Sequence, residues 1–155
     1  MKYIAILLLL LSNSVLADDH AGLVIPPFPS GIENIGAALI SNQNINDIKW
    51  SQNLVRINNV YYLWLNRFES RKNKKAYFKV THTFQLPDPD NLNIYFATCK
   101  NQKTNEVDIT AFATGQADKE WHTNITSAWK PNIKTGKIEA VTINNIICLN
   151  ESYGL

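Results

Sequence analysis

The chain of 155 residues has two cysteines, three histidines and one methionine, and acids nearly balance bases at a formal charge of +2. These scarcities exclude a good deal. Two cysteines and three histidines supply a metal or thiol site poorly, and no metal or other cofactor is expected. A charge so close to neutral gives no global argument for nucleic acid or a membrane surface, so any electrostatic role must be local. There is no Gly-x-Ser-x-Gly elbow, His-Glu-x-x-His helix, phosphate-cradling glycine loop or paired-cysteine metal motif. A carboxylate enzyme needs no readable motif, but Asp88 and Asp90 flank Pro89 in a turn-forming run and read as turn formers. Long apolar runs are also missing after the first residues, so no transmembrane segment is expected in the mature chain.

What is present begins with export. Met1 to Ala17 has the three parts of a secretory signal peptide: Lys2, the apolar Ile4 to Leu11, and the small-residue end Val15-Leu16-Ala17. A mature chain starting at Asp18 is expected to be soluble and either periplasmic or secreted. In an oxidising compartment Cys99 and Cys148 are expected to pair, closing a loop of roughly 50 residues that stabilises the fold by about 4 kcal/mol.

Residues 18–47 read as a lead-in. Pro26-Pro27-Phe28-Pro29 predicts an extended polyproline II tether outside the sheet. Ser30-Gly31-Ile32-Glu33 has capping-box spacing, and Ile32, Ile35 and Leu39 recur at helical intervals, which predicts a short helix from about Gly31 to Ile40. Asn42 to Asp47 reads as a flexible connection.

Residues 48–155 read as a single antiparallel-sheet domain. Five runs carry strand patterning: Ile48 to Ile57, Val60 to Phe68, Ala76 to Leu86, Leu92 to Cys99 and Glu106 to Thr114. Asn58-Asn59 predicts a hairpin between the first two. His82 falls on the apolar face of the third, where a lone histidine is most often a hydrogen-bonded core residue. Pro131 is expected to end regular structure. The last segment, Gly136 to Cys148, spaces Ala140, Ile143 and Ile147 as a helix would, although its β-branched content also permits a strand. The expected class is therefore α+β: an antiparallel sheet of about five to six strands packed on a C-terminal helix, with one disulfide.

The connection Asn66 to Lys75 holds the one charge cluster. Arg67, Arg71, Lys72, Lys74 and Lys75, with Lys79 just beyond, face a single acid, Glu69. These six are the candidate ligand-binding residues, for a polyanion or an acidic protein patch. The competing reading is a solvated hairpin tip that discourages aggregation. Aromatic residues are not interleaved among the charges as a nucleic-acid groove requires, so no nucleic acid partner is expected.

Several short stretches together resemble the bacterial surface-adhesin protein E family: Asn58-Asn59-Val60-Tyr61-Tyr62, the strand cysteine in Ala97-Thr98-Cys99, Trp129 ahead of the polar turn Asn132 to Gly136, and Ile146-Ile147-Cys148 continuing to Gly154. The likeness covers about Trp50 to Gly154. It implies a small sheet backed by a helix, one disulfide, no catalysis, frequent homodimers, and binding of host proteins. The chain departs from the adhesin in having Ala17-Asp18 where a lipid-bearing cysteine would stand. The first expectation is an exported binding protein that uses a sheet face or the basic connection. The alternatives are a periplasmic enzyme inhibitor or small hydrolase, with a pocket lined by His82, His122 and carboxylates, and a structural subunit of an envelope or secretion complex.

Overall fold

The computed structural model describes residues 20–41 and 49–154. The expected signal segment Met1 to Ala17 and the expected connection Asn42 to Asp47 lie outside them. Eleven strands are described: β1 (Val24–Ile25), β2 (Ile32–Leu39), β3 (Trp50–Ile57), β4 (Val60–Lys72), β5 (Lys75–Gln85), β6 (Asn93–Asn101), β7 (Ile109–Ala113), β8 (Trp121–His122), β9 (Ile125–Asn132), β10 (Lys137–Ala140) and β11 (Ile146–Leu149). They form two antiparallel sheets, ordered β1-β5-β4-β3-β2 and β10-β9-β7-β6-β11-β8. No helix occurs among the described residues. The fold is all-β, which corrects the α+β expectation and the helix that the resemblance implied.

The five runs with strand patterning are β3 to β7. Asn58 and Asn59, at φ of 50° and 64°, make the two-residue turn that brings Ile57 opposite Val60. Both expected helices are strands, for identifiable reasons. The C-terminal segment splits into β10 and β11. Asn132 and Gly136 close a hairpin in which the Asn132 side chain accepts from the N–H groups of Lys134 and Thr135, and Ile138 pairs with Pro131. Ile138, Val141, Ile146 and Ile147 are β-branched, and that preference overrode the helical spacing. In β2 a bulge between Asn34 and Gly36 inserts Ile35 into the ladder with β3. The insertion shifts the two-residue alternation, so Ile32, Ile35 and Leu39 imitate a helical stripe without sharing a buried face. Ile35 and Leu39 are 43% and 49% exposed.

Pro131 does not end β9. The N–H of its partner Ile138 is turned away from β9 toward His82, so this pair needs no donor from position 131. On its other side β9 has outrun β7, which begins at Ile109 opposite a point beyond Trp129.

The second sheet must curl. β8 and β9 stand four positions apart in strand order, about 19 Å in a flat sheet, yet only Thr123 and Asn124 separate them. Three residue steps reach about 11 Å, so the β8 end has to swing back toward β9. The inside of this curl is lined by Ala111, Ala113 and Ala128, with Ile109, Ile125, Ile146 and the disulfide Cys99–Cys148. Small side chains suit so tight a concavity. Cys99 and Cys148 are direct partners on β6 and β11, so the covalent tie expected between them is present, and it locks a strand rather than a helix. A disulfide is compatible with an oxidising, extracellular location.

The outside of the curl offers Ile94, Phe96, Phe112, Trp129 and Ile138, which pack against Leu54, Leu63, Leu65 and Phe84 of the first sheet. Phe112 meets Trp129 edge-on at 4.9 Å. This is the central core of the sandwich.

Candidate functional site

The outward face of the first sheet carries Val55, Trp64 and Val80 in a row, too apolar to leave in water. The lead covers it. Leu23, Ile25 and Phe28 pack there, Gly22 donates its N–H to the Val80 carbonyl, and β1 pairs with Phe78 and Lys79 of β5. His20 lies 5.4 Å from the Trp64 ring and Phe28 stacks on it at 6.2 Å. The expected tether outside the sheet is thus a docked cover, with cis peptide bonds before Pro26 and Pro27. Burial of Leu23, Ile25 and Phe28 decided this, where the proline pattern by itself pointed to an extended chain.

The basic residues form a finger. β4 and β5 remain paired from Tyr62 opposite Gln85 to Lys72 opposite Lys75. Asn73 and Lys74, with φ of 48° and 66°, supply the tight turn. The expected ten-residue connection is therefore two extended strands and a two-residue turn. β3 stops opposite Arg67, and β1 covers β5 only at Phe78 and Lys79, so among the described residues the hairpin beyond Ser70 has no neighbouring strand. Arg67, Arg71, Lys72, Lys74, Lys75 and Lys79 are all exposed. Arg67 stands directly opposite Lys79, and Lys72 opposite Lys75. Like charges in direct cross-strand register destabilise a hairpin. Neither ion pair between described residues, Glu33–Arg56 or Glu106–Lys130, involves these six. Arg67 also lies over the Trp50 ring, 6.0 Å from its centre.

A second feature, missed in the sequence, lies between the lead and β2. It is a cleft of about 400 Å³ walled by Ile25, Pro26, Phe28, Leu39, Ala76 and Phe78. Its polar floor is a chain of amides. Asn66 Nδ2 donates to Asn53 Oδ1 at 2.8 Å and to Ser51 Oγ at 3.2 Å, and Asn53 Nδ2 donates to Asn34 Oδ1 at 2.9 Å. Beneath it, Trp64 Nε1 and Asn66 Oδ1 are buried without a hydrogen-bond partner among the described residues. Asparagines at 53 and 66, in strands that otherwise favour branched and aromatic residues, were the available signal. On the other side of β2 a further cleft of about 610 Å³ runs between Gly36, Ala38 and Leu54 and the β6 stretch Asn93 to Thr98, reaching Leu149 to Ser152.

The histidines of the hydrolase alternative are engaged elsewhere and do not line these clefts. His82 Nδ1 accepts the Ile138 N–H at 3.2 Å, joining the two sheets. His122 is buried against Tyr95, 4.6 Å between ring centres, and its Nδ1 accepts the Gln116 N–H. Asp88 accepts the Asp90 N–H, a turn contact. Among the described residues no cluster of histidine, cysteine and carboxylate groups has metal-binding geometry, and no helix is long and apolar enough to cross a membrane.

No family model matches the chain, no curated protein matches it, and no solved structure matches it. The roles of its residues rest on their own geometry.

Proposed function

We propose that the protein is an exported, non-catalytic binding protein that holds a polyanionic ligand against the β4–β5 finger. The observation that carries this reading is the density of exposed cations on a hairpin that has outrun its neighbouring strands, with Arg67 and Lys72 held opposite Lys79 and Lys75. Such repulsion costs stability in the free protein, and an anionic ligand relieves it. A ligand bridging several of the six cations gains field from all of them at once. The disulfide fits the export that this reading includes.

Heparin serves as the probe. The mature chain is expected to bind it, with affinity falling on the order of 100-fold between about 50 and 200 mM salt, as counter-ion release from several contacts requires. A variant carrying Arg71→Glu, Lys72→Glu, Lys74→Glu and Lys75→Glu should lose this binding while keeping its folded spectrum. Equal binding by the variant, or no binding by the parent chain, rejects the reading.

A further inference from the structure

Among the described residues the two sheets have four outer edges, and three are shielded. β1 and β8 are two residues long, and β8 runs at once into β9. β10 is capped where its Ile138 N–H reaches His82. β2 is different: it is eight residues long, it ends the strand order of its sheet, and it exposes Ile35 and Leu39. A long edge with exposed apolar side chains is one that proteins ordinarily protect with charge, proline or a covering segment. Its only charged residue, Glu33, is committed to Arg56 at 2.5 Å.

The direction of the free backbone groups follows from the register. Ile40 N–H donates to the Trp50 carbonyl at 3.3 Å, and Gly36 to Leu39 are in unbroken register with β3. Alternate residues of an antiparallel ladder point their N–H and C=O to opposite sides, so Ala37 and Leu39 direct theirs away from β3. An added strand would find a cleft on each side of its backbone. One side holds the apolar cleft with the amide floor, and the other holds the mixed cleft with Tyr95, Asn93, Thr98, Asn150 and Ser152. Among the described residues Glu151 is the only charged one lining either.

We infer that β2 is a strand-addition site for an extended, uncharged segment of a partner protein. Its side chains alternate, apolar toward the Ile25–Phe28–Phe78 cleft and small or polar toward the Asn93–Thr98 cleft. Backbone hydrogen bonds to Ala37 and Leu39 supply affinity, and the two unlike clefts supply sequence preference. A second copy is the less suitable occupant, because a two-fold pair would meet the bulge at Asn34–Gly36 twice, once in each strand. This site is separate from the basic finger and does not depend on it.

The probe is a blocked, uncharged octapeptide alternating valine with serine and threonine, added to isotope-labelled mature protein. Saturable slowing of amide exchange at Ala37 and Leu39, by tenfold or more, is the expected result. The same peptide N-methylated at alternate amides should give no slowing, which tests the backbone contacts without altering the protein. Ala37→Pro should abolish the effect, and Leu39→Lys should weaken it about tenfold. The charge-reversed finger variant should bind the octapeptide unchanged, whatever it does with heparin. Three results overturn the inference: no slowing at peptide concentrations on the order of millimolar, equal slowing by the N-methylated peptide, or protection of Ala37 and Leu39 that rises with protein concentration alone, which assigns the edge to a second copy.

Discussion

The two sheets dispose of their edges in opposite ways. The second sheet curls until β8 returns toward β9, fills its concavity with alanines, isoleucines and a disulfide, and gives its convex side to the central core. The first stays open, needs the lead to cover Trp64, extends the basic finger from one end, and leaves β2 with no partner strand along one side among the described residues. Closure leaves few groups for a ligand, whereas openness leaves backbone, charge and clefts available. The covalent tie thus belongs to the second sheet, and the basic finger and the β2 edge of the two proposals belong to the first.

That division can be broken most severely at the disulfide. Replacing Cys99 and Cys148 together with alanine is expected to cost about 4 kcal/mol, read as a lower urea midpoint. A cost under about 1 kcal/mol would mean that the curl holds without its tie. Phe28→Ala is expected to cost about 2 kcal/mol through lost burial and to shift Trp64 fluorescence to the red, because Phe28 stacks on that ring. An unshifted spectrum would show the lead to be dispensable as a cover. His82→Phe removes the acceptor for Ile138 N–H and is expected to cost about 1 kcal/mol, with faster exchange at Ile138 as the specific readout.

The smallest effect is acidic. The hydrogen bond from Lys130, then that from Thr104, holds the Glu106 carboxyl below its ordinary 4.5. Asn132 and then Thr135 lower that of Glu139 in the same way. A group whose folded pKa is depressed contributes stability above its unfolded pKa and loses it as pH falls through the folded one. The urea midpoint should therefore be insensitive to these groups from pH 7 to about 5 and fall below about 4.5. Glu106→Gln should flatten part of that fall; an unchanged acid profile would remove Glu106 from the account.

The strand runs β3 to β7 were legible because alternation and turn residues are local signals, as with Ala76 to Leu86 or the pair Asn58-Asn59. β2, β10 and β11 were not: β10 and β11 are four residues each, and the type of all three depends on the strand each one meets. At β2 the inserted Ile35 changes the period itself, and Gly36 is present because the Phe96 ring reaches within 2.9 Å of where a Cβ would stand, a contact sixty residues away in the chain. The basic residues were legible as a cluster, but their arrangement as opposed pairs on a finger depends on the register of β4 and β5. Nothing local marked the β2 edge, since an edge is defined by the strand that does not come.

By itself the amino-acid order determined the five central strands, the Asn58-Asn59 turn, the place of the charge and the pairing of the two cysteines, because each depends on near neighbours or on there being only one possible partner. The tertiary structure decided the rest. It chose strand over helix at both ends of the chain, drew the proline-rich lead down onto Trp64, curled one sheet and left the other open. Those outcomes depend on which apolar faces find each other across the fold, and burial between distant residues outweighs the modest preference of any short segment for its own conformation.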